Sequence, residues 1–160
     1  QTCALPIYGV LCDFSKRYRE LFRMEPREAE KFKKFDDYFR SFIATEQFEK
    51  LEPMPGTWHA LGFIGSLGIP VEILSSTAHP ENHRAISYQK ELWLEKQGIV
   101  SPRNFVPGKS KKKDFASPTH IIIDDTKSII DGWTKAGGVA IHHTDALTTI
   151  SILDTLIRNG

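Results

Sequence analysis

The sequence predicts an α/β protein with a Rossmann-like parallel sheet that carries helices on both faces. Short β-rich runs alternate along the chain with segments of helical pattern, which is the order typical of parallel sheets. Two of these runs, HIIID at 120–124 and VAIHH at 139–143, are apolar over most of their length, as strands buried on both faces are. The order of the elements and the composition of the strands therefore indicate the same class.

Size and composition are those of an ordinary globular protein. The 160 residues are most simply one domain, 1–160, with a sizeable core. The net charge of +1 gives no argument for nucleic acid or an anionic membrane as a partner, and no apolar run approaches the roughly 20 residues that span a bilayer. Cys3 and Cys12 form neither a disulfide framework nor a metal cluster, and QTCALPI lacks the pattern of a signal peptide, so a cytoplasmic protein is expected.

The first half of the chain is predicted to be mostly helical. The apolar run YGVLCDF leads into SKRYRELF, a helix for which Ser15 is a plausible N-cap. Residues 26–50 are charged and aromatic without strand-like alternation, which predicts one or two short amphipathic helices. Residues 15–55 are expected to form a small helical cap beside the sheet. Another helix is expected in MPGTWHALGFIGSLG, because Pro55 and Gly68 stand where helices begin and end.

Strands and helices alternate regularly in the second half. The expected order is the strand IPVEILSS, a helix in PENHRAISYQKELWLEKQG, the strand NFVPG, a lysine-rich loop, the strand HIIID, a helix over 126–136, the strand GGVAIHH and a final helix ending near Arg158. This order places several polar groups at the carboxyl ends of strands, which is where open α/β sheets bind their ligands.

Polar residues at three predicted strand ends define a candidate site. They are Ser75 and Ser76, Asp124 and Asp125, and His142 and His143. Carboxyl ends of parallel strands lie along one edge of a sheet, so these side chains are expected to converge. The two histidines point to opposite faces, so at most one of them can face the site, and a loop role is favoured over a metal role.

Asp124 and Asp125 follow a strand and precede a helix. Hard oxygen ligands at such a place suit Mg²⁺, which one or two carboxylates hold together with water and substrate phosphate. Aspartate is also a common N-cap, so one of the pair could simply cap the helix over 126–136 while the other is solvated. The pair alone leaves both interpretations open, and the polar groups at the other strand ends favour the metal.

The serines and the lysine-rich loop could together bind an anion. Hydroxyl and backbone N–H groups before a helix form a seat for phosphate, although ordinary capping explains the serines equally well. A phosphate site also needs a compact positive charge, which one lysine of the run can supply. The candidates are Lys109, Lys111, Lys112 and Lys113. Most of them are expected to be solvated, and without interleaved aromatic residues they give only a weak argument for nucleic acid.

Taken in order, a hydroxyl-ended strand, a lysine loop and a strand ending in two aspartates resemble the haloacid dehalogenase (HAD) superfamily. VEILSS is similar to its second motif, the lysine loop to its third, and HIIIDDTKSIIDGWTKAGGVAIHH to its fourth with the following strand. GVLCDFSKRYRELF resembles the tail of the first motif, whose full form is an apolar strand followed by D-x-D-G. The helical insertion resembles the cap of the 5′(3′)-deoxyribonucleotidases and their bacteriophage-like relatives. The resemblance covers about residues 9–150.

The resemblance implies a Mg²⁺-dependent phosphomonoester hydrolase, a 5′-nucleotidase acting on (deoxy)ribonucleoside monophosphates. In the family, the first aspartate of the D-x-D motif attacks phosphorus and the second acts as acid and base. Carried over, the metal ligands would be Asp124 and Asp125, the latter as ligand or water holder. The phosphate-binding residues would be Ser75, Ser76 and Lys112, with Lys111 and Lys109 as alternates to Lys112.

The first motif departs from the family pattern. If Gly9 is the glycine of D-x-D-G, the two carboxylates should stand at positions 6 and 8, where the chain has Pro6 and Tyr8. Neither can attack phosphorus as a carboxylate or hold Mg²⁺, so the chain is expected to be catalytically impaired. A central strand also rarely tolerates proline, so residues 1–8, which include QTCALPI, are expected to be foreign to the fold or truncated.

Two other functions remain open. A non-catalytic nucleotide- or phosphate-binding module would keep the strand-end residues and would not need the nucleophile. A phosphatase acting on nucleic-acid ends would use the lysine loop.

Overall fold

A five-stranded parallel sheet forms the centre of the molecule. The computed structural model describes residues 1–160. The strands are β1 (Thr2–Leu5), β2 (Val71–Ser76), β3 (Arg103–Val106), β4 (His120–Asp124) and β5 (Val139–His142). Their order across the sheet is β3-β2-β1-β4-β5, and every neighbouring pair is parallel. The chain runs outward from β1 to one edge and then returns to the other side of β1, which is the doubly wound arrangement.

Seven α-helices and three 3₁₀ turns connect the strands. The helices are α1 (Phe14–Phe22), α2 (Pro26–Lys31), α3 (Phe35–Ala44), α4 (Thr57–Ser66), α5 (His83–Lys96), α6 (Lys127–Lys135) and α7 (Ala146–Asn159). The 3₁₀ turns are Gln47–Lys50, Pro80–Asn82 and Lys109–Phe115. The alternation of strands and helices confirms the predicted α/β class. None of the helices combines the length and the apolar character that a membrane crossing requires.

Side chains of the strands enter hydrophobic cores on both faces of the sheet. In β4, Ile121 and Ile123 belong to a cluster of 22 buried residues, and Ile122 belongs to a second cluster of 6. This division follows from the two-residue period of a strand. Because each isoleucine is buried whichever face it meets, the run HIIID is apolar from Ile121 to Ile123.

The segment that contains β1 is part of the sheet, in contrast to the expectation that it is foreign to the fold. Residues 2–5 form the central strand, in which Cys3 is aligned with Val71 of β2 on one side and with Ile121 of β4 on the other. Pro6 follows the last residue of the strand. Its missing N–H group therefore interrupts no pair of the ladder, and the argument from proline against a central strand does not apply at this position.

The insertion between β1 and β2 packs around a cluster of aromatic rings. Within residues 26–50 the structure has α2, α3 and one 3₁₀ turn. Tyr18, Phe42 and Phe48 are fully buried, and the ring centroids of Phe42 and Phe48 lie 4.8 Å apart. Phe14, the first residue of α1, places its ring centroid 5.0 Å from that of Phe42. The three buried rings belong to the same cluster of 22 buried residues as Ile121 and Ile123 of β4, so the helical unit shares the core on that face of the sheet.

Helix α1 is capped by Asp13, and the prediction that Ser15 caps it is wrong. The Asp13 carboxylate accepts a hydrogen bond from the backbone N–H of Lys16 at 3.0 Å. Ser15 is already the second residue of the helix. Both residues are of types that cap helices well, so the sequence could not choose between them, and the helix starts at the earlier one.

Candidate active site

A cavity of about 870 Å³ lies at the carboxyl ends of β1, β2 and β4. Its lining on the sheet side includes Pro6, Tyr8, Ser75, Ser76, Lys112, Asp124 and Asp125. On the side of the helical insertion, the lining includes Phe14, Glu30, Phe35 and Phe39. The structure therefore brings together, around one space, the polar residues that the sequence placed at separate strand ends.

Lys112 is the lysine of its run that reaches the acidic pair. The 3₁₀ turn that contains it directs its side chain inward, where 3% of the residue is exposed. Its Nζ atom donates a hydrogen bond to Oδ2 of Asp124 at 2.8 Å. Lys111 and Lys113 are exposed, and Lys109 borders the cavity without a carboxylate partner. The turn thus selects Lys112 among the four candidates.

Both carboxylate oxygens of Asp124 have partners. Oδ2 accepts from Lys112, and Oδ1 accepts from the backbone N–H of Thr126 at 2.9 Å. The second contact orders the turn that leads into α6, of which Thr126 is the N-cap residue. Asp124 therefore organises the start of the helix and borders the cavity at the same time, so the two interpretations of the acidic pair do not exclude each other.

Asp125 faces the cavity, and the pKa of its carboxyl group is raised. Its side chain is open to the cavity, yet the surrounding protein and the negative charge of Asp124 raise its pKa above the usual range. Gly9, with a φ of +75°, lies against this carboxylate, and a Cβ atom at residue 9 would overlap it. The positive φ favours glycine at position 9, and a Cβ atom there would displace the Asp125 carboxylate.

The two serines at the end of β2 have different environments. Ser76 Oγ accepts from the backbone N–H of Ala78 at 3.1 Å, a local turn contact of the kind expected from ordinary capping. Ser75 is 1% exposed, and its Oγ atom accepts from Nζ of Lys90 at 2.6 Å and from the backbone N–H of Ile7 at 3.4 Å. These two contacts use both acceptor sites of the Ser75 hydroxyl, so its own O–H remains free to donate.

Lys90 is a buried residue of this site that the sequence analysis missed. It lies on α5, is 1% exposed, and donates to Ser75 Oγ and to the backbone carbonyl of Ser76. A signal was present in the sequence, because Ile86, Lys90 and Trp93 share one helix face and the other two are fully buried. A lysine in such an apolar stripe marks a buried cation.

Of the two histidines at the carboxyl end of β5, one faces the cavity. His143 is buried and borders the cavity, and its Nδ1 atom lies 2.7 Å from Thr149 Oγ1. Burial lowers its pKa below the usual range. His142 is exposed, and its Nε2 atom lies 3.1 Å from the backbone carbonyl of Asp125. The opposite directions of the pair agree with the alternation expected along a strand.

Comparisons with solved structures assign the fold of the chain. No protein-family model and no curated protein sequence matches the chain. A hydrolase from Streptococcus pneumoniae TIGR4 superposes with a TM-score of 0.59 at 15% identity, over 96% of this chain and 97% of that one. A HAD-superfamily hydrolase from Ehrlichia chaffeensis gives a TM-score of 0.55 at 12% identity, over 98% and 97% of the two chains. The chain has the HAD fold.

A third structure supports the same fold. A protein proposed to be a β-phosphoglucomutase, from Thermotoga maritima, gives a TM-score of 0.51 at 17% identity over 99% of both chains. All three similarities extend over almost the whole of each chain, so the helical insertion is included in them. At these identities the likeness concerns the HAD fold alone, and the chemistry has to be argued from the residues of the cavity.

The HAD fold makes a magnesium ion a candidate ligand of this cavity. The acidic pair supplies oxygen ligands of the type that this ion prefers. Asp124 and Asp125 offer adjacent carboxylate oxygens, and Mg²⁺ commonly takes one or two protein carboxylates together with water and substrate phosphate. The chain supplies no group of three or more Asp, Glu, His and Cys side chains around one point. An ion held here would therefore depend on oxygens of a ligand, and it would share Asp124 with Lys112.

Positions 6 and 8, just after the end of β1, carry no carboxylate side chains. Pro6 and Tyr8 follow the central strand β1, which neighbours β4, and both border the same cavity as the acidic pair. The nearest acidic residue of this segment, Asp13, also borders the cavity, but its carboxylate caps α1. Neither side chain at positions 6 and 8 can act as a nucleophilic carboxylate.

Proposed function

We propose that this chain is a Mg²⁺-dependent phosphomonoester hydrolase of the HAD type, a 5′-nucleotidase for (deoxy)ribonucleoside monophosphates, whose catalysis is impaired by Pro6 and Tyr8. The observation that carries the proposal is the buried pair of Lys112 and Asp124, which borders the same cavity as Ser75. A buried cation, a hydroxyl donor and two carboxylates around one cavity are groups that bind a phosphoryl group and neutralise its charge.

The phosphate end of the ligand would lie over β2 and β4. The free O–H of Ser75 supplies a hydrogen-bond donor for a phosphoryl oxygen, since its acceptor sites are already taken by Lys90 and Ile7. The ammonium of Lys112 supplies the compact positive charge, and burial strengthens its attraction for an anion.

Asp124 and Asp125 would hold a magnesium ion in the liganded site. The ion would supply further charge neutralisation to the phosphoryl group. Lys112 pairs directly with Asp124, so Asp125 keeps its carboxyl oxygens open to the cavity.

The nucleoside end of the ligand would lie under the helical insertion, which we propose acts as a cap over residues 15–55. The rings of Phe14, Phe35 and Phe39 border the cavity on this side, and aromatic rings are suitable surfaces for stacking a nucleobase. The volume of about 870 Å³ is within the range of small-molecule sites and is sufficient for a mononucleotide.

A phosphate-release assay tests the proposal. We expect the chain with Pro6 and Tyr8 to release no phosphate from deoxynucleoside monophosphates in the presence of Mg²⁺. The double variant Pro6→Asp with Tyr8→Asp should gain release, because it restores the nucleophile and the acid–base group. The matched variant Pro6→Asn with Tyr8→Asn has the same side-chain shapes without the charges and should remain inactive. Turnover by the unaltered chain would contradict the assigned impairment.

A second candidate function is a non-catalytic nucleotide-binding module. It is favoured by the absence of carboxylates at positions 6 and 8 in a cavity that still contains Ser75, Lys112 and Asp124. Calorimetry with a deoxynucleoside monophosphate should then give Mg²⁺-dependent binding without turnover. Asp124→Asn should abolish this dependence, whereas the exposed control Asp131→Asn should retain it. Unchanged binding by Asp124→Asn would contradict the metal site.

A further inference from the structure

The ammonium of Lys90 is enclosed by protein and has no carboxylate partner. Its Nζ atom donates one hydrogen bond to Ser75 Oγ, at 2.6 Å, and another to the backbone carbonyl of Ser76. The ring of Tyr8 covers another side of the ammonium, with its centroid 3.9 Å from Nζ. All nine ion pairs of the molecule involve other residues. The other buried lysine, Lys112, has Asp124 as its partner, so Lys90 is the exception.

A lysine in this situation is unfavourable for a folded protein. Lysine is almost never fully buried unless it is paired, because an ammonium loses its hydration without compensation. The ring of Tyr8 compensates only part of that loss, since a cation–π contact is weaker than a buried ion pair. Burial and the nearby positive charge of Lys112 accordingly hold the pKa of Lys90 well below its usual range.

The Tyr8 side chain occupies the place where a counter-ion of Lys90 would stand. An aspartate carboxylate extends from its Cα atom about as far as the centre of a tyrosine ring, so at position 8 it would meet the ammonium. We propose that Lys90 is the counter-ion of the carboxylate that the family pattern expects at position 8. Lys90 is then a positioning residue, which would hold a carboxylate at position 8 ionised and oriented toward the end of β2.

The pairing rests on the contacts of Lys90, and only its catalytic meaning rests on the proposed function. A carboxylate at position 8 would be the acid–base group of the hydrolase, and Lys90 would set its protonation state. The stability of the protein reports the pairing whether or not any phosphate ester is hydrolysed. A failure of the pairing and a failure of the hydrolase activity are therefore separate results.

The test is a set of four variants compared by thermal unfolding. Tyr8→Asp and Tyr8→Asn remove the same ring and differ only in charge, and each is made with Lys90 and with Lys90→Met. With Lys90 present, the Tm of Tyr8→Asp should exceed that of Tyr8→Asn by about 4 °C or more. With Lys90→Met the order should reverse, because the carboxylate is then buried without a partner.

Equal Tm values for the aspartate and asparagine variants, or the same order in both backgrounds, would overturn the proposal. Lys90→Gln serves as a second neutral background if the methionine variants do not fold. Tyr8→Glu and Tyr8→Gln repeat the comparison with a longer side chain. If neither Tyr8→Asp nor Tyr8→Glu folds in the presence of Lys90, the proposal is also refuted, since it requires Lys90 to stabilise a carboxylate at this position.

Discussion

The Nζ atom of Lys112 lies 2.8 Å from Oδ2 of Asp124, and the two side chains expose 4% and 2% of their surfaces. The pair joins the 3₁₀ turn that precedes β4 to the carboxyl end of that strand. Removing two charges from water is costly, and their mutual attraction offsets that cost only while both are present. The pair therefore makes the local structure sensitive to the loss of either partner.

Replacing Lys112 should destabilise the protein strongly. Lys112→Met leaves the Asp124 carboxylate buried with a single backbone donor, so the free energy of unfolding should fall by about 3–5 kcal/mol. Urea unfolding followed by circular dichroism measures this quantity. Lys111→Met and Lys113→Met are the matched controls, since both lysines are exposed, and each should change it by less than about 0.5 kcal/mol. Equal losses in all three variants would contradict the inward assignment of Lys112.

The cap of α1 should be measurable at two neighbouring positions. Asp13→Ala removes the acceptor of the Lys16 N–H group and should lower the free energy of unfolding by about 1 kcal/mol. Ser15→Ala should leave it unchanged or raise it slightly, because alanine is the better helix former inside a helix. Paired urea titrations decide between the two, and a larger loss from Ser15→Ala would return the cap to the residue that the sequence favoured.

Two glycines near α6 should respond in opposite ways to alanine. A Cβ atom at Gly138 would overlap the indole of the fully buried Trp133, so Gly138→Ala should cost about 1–3 kcal/mol of stability through overpacking. Gly132 lies inside α6 with open space around it, and Gly132→Ala should add about 0.5–1 kcal/mol. Thermal unfolding of both variants beside the unaltered chain gives the comparison. A stabilising effect of Gly138→Ala would show that the Trp133 side chain can shift at little energetic cost.

His143 should make the stability of the protein depend on pH in the acidic range. Its pKa is lowered by burial, so the unfolded chain takes up a proton at a higher pH than the folded one. The contribution of His143 is complete above the ordinary histidine pKa of about 6.5 and decreases as the pH falls through the interval between the unfolded and folded values. Free energies of unfolding measured from pH 8 to pH 5 should therefore decline less steeply in His143→Asn.

The exposed neighbour provides the control for this pH dependence. His142→Asn should retain the decline of the unaltered chain, because His142 is exposed to solvent. Identical curves for His143→Asn and the unaltered chain would assign the dependence to another group.

The parts of the structure that follow from periodicity were predictable from the sequence. The strands β4 and β5 are apolar over most of their length, as expected for strands of a sheet with helices on both faces. Helix α5 was predictable from the helical spacing of its apolar residues. The convergence of Ser75 and Asp124 also followed, since carboxyl ends of parallel strands share one edge.

The parts that depend on local geometry were not predictable. A 3₁₀ helix has three residues per turn. A shift of one residue in its start would therefore direct Lys111 inward in place of Lys112. Lys90 was not predicted as a site residue because it lies on helix α5, and the prediction considered residues at strand ends. The central position of β1 was misjudged because the strand stops at Leu5, one residue before the proline that was expected to interrupt it.

The order of the strands has a geometric consequence for any ligand of the cavity. Within the sheet, β2 and β4 are connected only through the four residues of β1. Neighbouring strands lie about 4.8 Å apart, so the serine end and the acidic end of the cavity are separated by about two such spacings, roughly 9.6 Å. The width of one strand thus sets the span of the site, and Pro6, the residue that follows that strand, stands near its midpoint.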